Sequence, residues 1–327
     1  MPLTAAGARL PPGGRIVALT FSPCVDVTFE VDAVRPGSKL RGRNLRRDPG
    51  GGGVNIARVL RHCGREAEVV LPAGGPTGER LLTLLAGETV RCRPIVAEAE
   101  TREDFTAVEP ASGREYRFVL PAPPLSQGES DHVVETAVAL TPGGAILAAS
   151  GSLPPDGDSG LYATVARRCR DKGVRLALDA PARDLRPALA QGAWLIKPNL
   201  DELTEVAGRP LPDRPARLDA CRTLLARFGL DWVAASFGAD GALLVGRQGA
   251  WAAAAPAVTP VSTVGAGDSF LGVLLDGLAR DAEPAQALVR AVAAGAAALL
   301  SPGVQLCRLA DIDRLQPAVS VEALGID

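Results

Sequence analysis

RIVALTFSPCVDVTFEVDAV, residues 15–34, contains two extended runs that suit different sheets. RIVALT is apolar through its middle, the pattern of a strand buried on both faces. Beyond Ser22-Pro23, CVDVTFEVDAV partly alternates, so one of its faces meets water.

The first pattern recurs in AEVVLPA (67–73), AILAAS (145–150), RLALDA (175–180), AWLIK (193–197) and DWVAASF (231–237). Helical periodicity separates these runs, as in VNIARVLRHCG (54–64), ETAVAL (135–140) and ARLDACRTLLARFG (216–229). Two closely spaced helices, SFLGVLLDGLAR and AQALVRAVAAGAAALL, follow. Buried strands alternating with helices predict an α/β domain whose mostly parallel sheet has helices on both faces. The second pattern recurs in KLRGRNL (39–45) and in TREDFTAVEPASGREYRFVLP (101–121), where ASG supplies a hairpin-like turn. Segments 24–47 and 101–121 therefore predict a small antiparallel sheet projecting over one edge of the body, ordinary edge hairpins being the alternative. Such a sheet would act as a lid that excludes water, and its apolar outer face favours a dimer. The domain is expected to run from 15 to 327 behind a loose tail at 1–14.

With 47% hydrophobic residues among 327 the chain can bury a large core, and a formal net charge of −2 without a basic block disfavours nucleic-acid and anionic-membrane partners. Six cysteines without CxxC spacing and two histidines argue against a structural zinc site or a disulfide framework, and fit a reducing, cytoplasmic compartment. No run suits a membrane helix. Arg outnumbers Lys 32 to three, so Lys39, Lys172 and Lys197 mark places where a compact, mobile ammonium is wanted.

In VSTVGAGDSF (261–270), Gly265, Ala266 and Gly267 open the apolar helix, and their N–H groups form an anion site. Asp268 sits at the same end, either as a general base or as a cap, with an ordinary or lowered pKa because the helix dipole favours its charge. DPGGGGVNIARVL (48–60) exposes bare backbone at Gly51 and Gly52 before a helix on which Asn55 either presents an amide or caps. In WLIKPNLDEL (194–203), Lys197, Asn199 and Glu202 gather at a strand's carboxyl end. Asn199 and Glu202 also have the spacing of a capping box, while oxygen donors beside a phosphate suit hydrated Mg²⁺. Ser152, Ser236 and Gly238 lie in turns just past two further strands. From the lid segments, Asp26 suits sugar hydroxyls, and Lys39 and Arg102 suit a phosphate. Neither a Walker A loop nor a dinucleotide-binding fingerprint is present.

On TVGAGDSF and DPGGGGVNIARVLRHCG the chain resembles the PfkB, or ribokinase-like, family of carbohydrate kinases over nearly all of residues 15–315. SPCVDVTFEVD, PAGGPTGE, GREYRFVLP, SGSLPP and KPNLDEL are similar to its phosphosugar-kinase branch. The resemblance implies a three-layer α/β/α ribokinase-like fold with a β-sheet lid, often paired through the lids as a homodimer. It implies ATP, Mg²⁺ and commonly K⁺, and phosphorylation of a ketohexose monophosphate. Fructose 6-phosphate is favoured; fructose 1-phosphate and tagatose 6-phosphate remain open, as does a non-catalytic sugar-phosphate-binding dimer. By the same resemblance Asp268 is the base, and Gly265, Ala266 and Gly267 the anion hole. Asp26, Lys39, Gly51, Gly52, Asn55, Arg102 and Ser152 contact the phosphosugar. Lys197, Asn199, Glu202, Ser236 and Gly238 serve ATP and Mg²⁺, and backbone oxygens of Ser262 and Val264 hold K⁺. The chain departs from the branch at Ala122, where Gly is usual, and the following Pro123-Pro124 stiffens the exit from the lid.

Overall fold

The computed structural model describes residues 14–154 and 160–325. β1 (Ile16–Leu19) leads out of the body into a hairpin, β2 (Cys24–Glu30) and β3 (Arg43–Gly50). The chain returns as α1 (Gly52–His62), β4 (Glu68–Ala73), α2 (Gly75–Gly87) and β5 (Arg91–Val96). A second excursion, β6 (Arg102–Glu109) and β7 (Arg114–Phe118), precedes α3 (Gln127–Leu140). Then β8 (Ile146–Ser150), α4 (Leu161–Lys172), β9 (Arg175–Asp179), α5 (Ala182–Leu189) and β10 (Leu195–Ile196) alternate. They are followed by α6 (Leu200–Ala207), α7 (Arg214–Phe228), β11 (Trp232–Ser236) and the hairpin β12 (Ala242–Gly246)–β13 (Gly249–Ala253). α8 (Ala266–Ala279), α9 (Pro284–Ala298), α10 (Leu309–Leu315) and β14 (Val321–Leu324) complete the order.

One ten-stranded sheet runs β14-β13-β12-β11-β10-β9-β8-β1-β4-β5. Pairings from β11 across to β5 are all parallel, and β12, β13 and β14 add an antiparallel edge. Alternate β1 side chains feed opposite cores. Ile16 and Ala18 join the apolar faces of α1, α8 and α9, whereas Val17 and Leu19 join those of α3 and α4. That is why the body strands read as continuous apolar runs. From β1 the chain winds to β4 and β5 on one side and later from β8 through β11 on the other. The order thus reverses between β1 and β8, and loops leaving two such strands diverge to open a crevice at their carboxyl ends.

The second sheet has the order β3-β2-β6-β7. Both hairpins are antiparallel, but the central pair β2–β6 is parallel from Cys24↔Arg102 to Glu30↔Val108, correcting the expectation of a wholly antiparallel sheet. The cause is topological: β2 and β6 continue from β1 and β5, which point the same way. The second arm of the first hairpin also starts later than expected, at Arg43, and runs to Gly50.

The glycine run between β3 and α1 is needed for contact as much as for bare N–H groups. Gly51 holds φ +106°, a Cβ on Gly52 would sit 2.2 Å from Ser150 Oγ, and one on Gly53 would sit 2.4 Å from the Leu19 carbonyl oxygen. Backbone cannot yield as a flexible side chain can. Gly53→Ala is therefore expected to cost about 1–3 kcal/mol despite the better helix propensity of alanine. A lower urea midpoint with an unchanged m value would show it; an unchanged midpoint would refute the close approach.

Candidate active site

At the β1/β8 crevice lies a cleft of about 300 Å³, lined by residues including Ser22, Gly51, Gly52, Arg102, Ser150, Ser152, Asp179, Glu202 and Asp268. These groups come from the β1–β2 connection, the starts of β6, α1, α6 and α8, and the carboxyl ends of β8 and β9. Two of the sequence candidates need no cleft contact to belong here: Asn55 bonds Asp268 directly, and Lys197 lies just behind it.

Gly265 is the N-cap of α8 at φ +74°, a conformation that leaves the following N–H groups free of side-chain caps. The Leu306 side chain packs so closely that a Cβ on Gly265 would come within 2.4 Å of its Cδ2. Asp268, in the first turn, makes no capping bond. Its Oδ2 accepts from Asn55 Nδ2 at 2.9 Å and its Oδ1 faces the Ser150 hydroxyl at 3.5 Å, so the capping role is excluded. Burial, and then the nearby Asp179 carboxylate, push the Asp268 carboxyl up to about 6; the Asn55 bond, the Lys197 charge and Ser150 pull the other way. This overturns the expectation of an ordinary or lowered value, because desolvation outweighs the helix dipole here.

Lys197 is buried and pairs with Asp179 Oδ1 at 3.0 Å, its ammonium 3.5 Å from where a Cβ on Gly267 would lie. Burial alone lowers its pKa, but Asp179, Glu202 and Asp268 outweigh this and hold it above the ordinary value. It is therefore a fixed cation, against the expectation of a mobile one. Asn199 and Glu202 form the reciprocal capping box of α6, at 2.9 Å in both directions. Glu202 nonetheless lines the cleft, so the cap and a ligand role are compatible. Burial raises its pKa, with the Asn199 N–H opposing. Asp179 and Glu202 together give the hard oxygen donors that Mg²⁺ prefers. Asn199 and Ser236 form a parallel bridge, and Gly238 turns the chain at φ +58°, which places that pair of loops side by side.

On the second sheet, Asp26 is buried and sits in register between Asp48 and Asp104. Burial, and then Asp104, push its carboxyl up to about 6, opposed by Arg117. Arg102 reaches the cleft from the neighbouring strand while pairing with Asp104 at 3.4 Å. Lys39 is exposed on the β2–β3 connection and is not among the cleft-lining residues. Ser262 donates to Glu115 of β7 at 3.2 Å and accepts weakly from the Val264 N–H at 3.4 Å, which joins the second sheet to the loop before α8. Asp179 and Ser150 were not among the sequence candidates. Their signal was position: a carboxylate and a hydroxyl ending two of the buried strands.

Residues 19–311 match the model of the pfkB family carbohydrate kinases. The chain is 38% identical over 300 residues to ATP-dependent 6-phosphofructokinase isozyme 2 of Mycobacterium tuberculosis, covering 92% of this chain and 88% of that protein. To the Escherichia coli K12 isozyme 2 it is 35% identical over 307 residues, covering 94% and 99%. The crystal structure of Escherichia coli phosphofructokinase-2 in complex with substrates and products superposes with a TM-score of 0.89 at 36% identity, over 93% of this chain and 98% of that one. With a three-layer body, a second sheet and an aspartate directly behind a Gly-Ala-Gly turn at the strand-order reversal, the chain belongs to the pfkB family of carbohydrate kinases.

Proposed function

We propose that this ATP-dependent phosphosugar kinase phosphorylates fructose 6-phosphate to fructose 1,6-bisphosphate. The observation that carries the reading is Asp268, set behind Gly265-Ala266-Gly267 and held by Asn55 and Ser150 in the crevice. In that place Asp268 aligns the sugar hydroxyl and takes its proton as the oxygen attacks the γ-phosphorus; the bond to the β–γ bridging oxygen breaks and ADP leaves. The α8 N–H groups face the charge that develops on the transferred group. Asp26, Asn55, Gly51, Gly52 and Ser152 are assigned to the sugar, and Arg102 to its phosphate. Lys39 is assigned there too, delivered from a second copy across a lid-to-lid homodimer. Asn199, Ser236 and Gly238 border the nucleotide. Glu202, with Asp179, would hold Mg²⁺, which when bound neutralises phosphate charge, and Ser262 and Val264 would offer carbonyls to K⁺. The dimer reading draws on Leu45, Phe118 and Val119, which are 54–60% exposed on β3, β7 and the segment after β7. ATP and sugar phosphates as substrates, with six unpaired cysteines, favour a cytoplasmic site.

The deciding experiment measures ADP release with Mg-ATP and fructose 6-phosphate, fructose 1-phosphate, tagatose 6-phosphate, fructose or ribose. Highest kcat/KM on fructose 6-phosphate is expected. Preference for fructose 1-phosphate would move the assignment to the activity named for the Xanthomonas campestris 1-phosphofructokinase, 30% identical to this chain. Binding without ADP release would indicate a sensor. Turnover is also expected to fall as pH drops through about 6, since protonated Asp268 cannot accept the hydroxyl proton. A kcat–pH profile flat to pH 4.5 would remove Asp268 from that role.

A further inference from the structure

Arg58, one turn along α1 from Asn55, has a side chain only 2% exposed. Its Nε and Nη2 grip the two oxygens of Glu88, each at 2.7 Å, at the end of α2. Nη1 points the other way. It donates to the Pro49 carbonyl at 2.9 Å, to the Val304 carbonyl at 2.9 Å and, more weakly, to Asn55 Oδ1 at 3.4 Å. Pro49 immediately precedes the glycine run, and Val304 stands two residues before Leu306, which packs on Gly265. One guanidinium therefore meets the backbone on the sugar side, the backbone behind the α8 N-terminus and the amide that touches Asp268.

The Asn55 contact has chemical content. An amide has one accepting end and one donating end. With Oδ1 turned to a guanidinium, which can only donate, Nδ2 is left facing Asp268 at 2.9 Å. Glu88 neutralises the Arg58 charge, so the effect on Asp268 runs through orientation more than through charge. The other groups facing Asp268 are Ser150 from β8, Asp179 from β9 and Lys197 at the end of β10.

We propose that Arg58 is a positioning residue for phosphoryl transfer: anchored by Glu88 and the Pro49 and Val304 carbonyls, it locks the Asn55 amide with its N–H toward Asp268. This rests on the kinase reading of Asp268. Lysine cannot reproduce the fork, because a single ammonium cannot hold Glu88 and both carbonyls in one plane.

The test compares Arg58→Lys alone and in an Asn55→Ala background. Arg58→Lys is expected to lower kcat about tenfold or more with KM for ATP within about twofold, as misalignment near a reacting group does. In the Asn55→Ala background the same change should cost less than about threefold, the non-additivity of a residue acting through its neighbour. A merely structural role would lower Tm and cost the same in both backgrounds; that result, or kcat within about twofold of the parent in a folded Arg58→Lys, overturns the proposal. A second readout needs no turnover. Carboxyl ¹³C NMR titration of Asp268 in the unliganded protein, assigned with Asp268→Asn, should move upward in Arg58→Lys, and an unchanged titration overturns the proposal. Were the parent inactive on every sugar phosphate, the kinase reading would fall while this titration still decided the role of Arg58. If Arg58→Lys does not fold, Glu88→Gln loosens the guanidinium from its far side and carries both readouts.

Discussion

Asp268→Asn lowers kcat by ~10²-fold or more in the expected outcome, judged by what a positioned general base contributes. Nucleotide binding should survive, because the α8 N-terminal backbone proposed to meet the phosphates does not depend on this side chain. Asparagine keeps an oxygen to accept from Asn55 but cannot take a proton. The same variant should be more stable at neutral pH. Folding raises this carboxyl from 3.8 to about 6, so the native state binds the proton more tightly than the unfolded chain. The linked stability is fully present below pH ~4 and is lost as pH rises through about 6. Removing the charge therefore returns about 3 kcal/mol at pH 7 and well under about 1 kcal/mol at pH 4. Tm measured at both pH values beside kcat would show opposite signs for stability and activity. Near-parental turnover in the purified variant would defeat the assignment.

Lys197→Met should have the second largest effect. It strips the half-buried, cleft-lining Asp179 carboxylate of its 3.0 Å partner, a loss of about 1–3 kcal/mol for a pair with only one fully buried member. It also removes a cation that favours ionised Asp268 while leaving the opposing Asp179 charge in place. The acid limb of the kcat profile should therefore move above about 6. Urea unfolding and a pH series measure the two effects separately. Adding Asp179→Asn should restore most of the stability but not turnover, since a cleft-lining oxygen donor is then altered. An unchanged urea midpoint in Lys197→Met would mean that water already satisfies Asp179.

Much of the body was legible because a strand buried on both faces leaves an unbroken apolar run. RIVALT, AILAAS and RLALDA each became a parallel strand trimmed by a residue or two. Edge strands carry no such mark. RCRPIV is charged and holds a proline, and VEAL is short and largely exposed, so neither stood out. The parallel joining of β2 to β6 was invisible for another reason: each hairpin's alternation fixes its own pairing but not the direction in which the two hairpins meet. At the site, Asp268 and the glycine run were legible from their helix starts. The rise of Asp268's pKa was not, since it depends on Asp179 and on burial, both set by tertiary packing. The role of Arg58 was equally hidden, because its partners lie on four separate segments.

Seating β1 between β4 and β8 has a price during synthesis. β1 is made before either of its neighbours and keeps one edge open until Ile146–Ser150 has been made, and β2 likewise waits for Arg102–Glu109 before the small sheet can close. Pairings this distant along the chain slow folding and leave a sticky nascent intermediate. Released fragments ending between these two points should aggregate unless a chaperone shields the orphan strand.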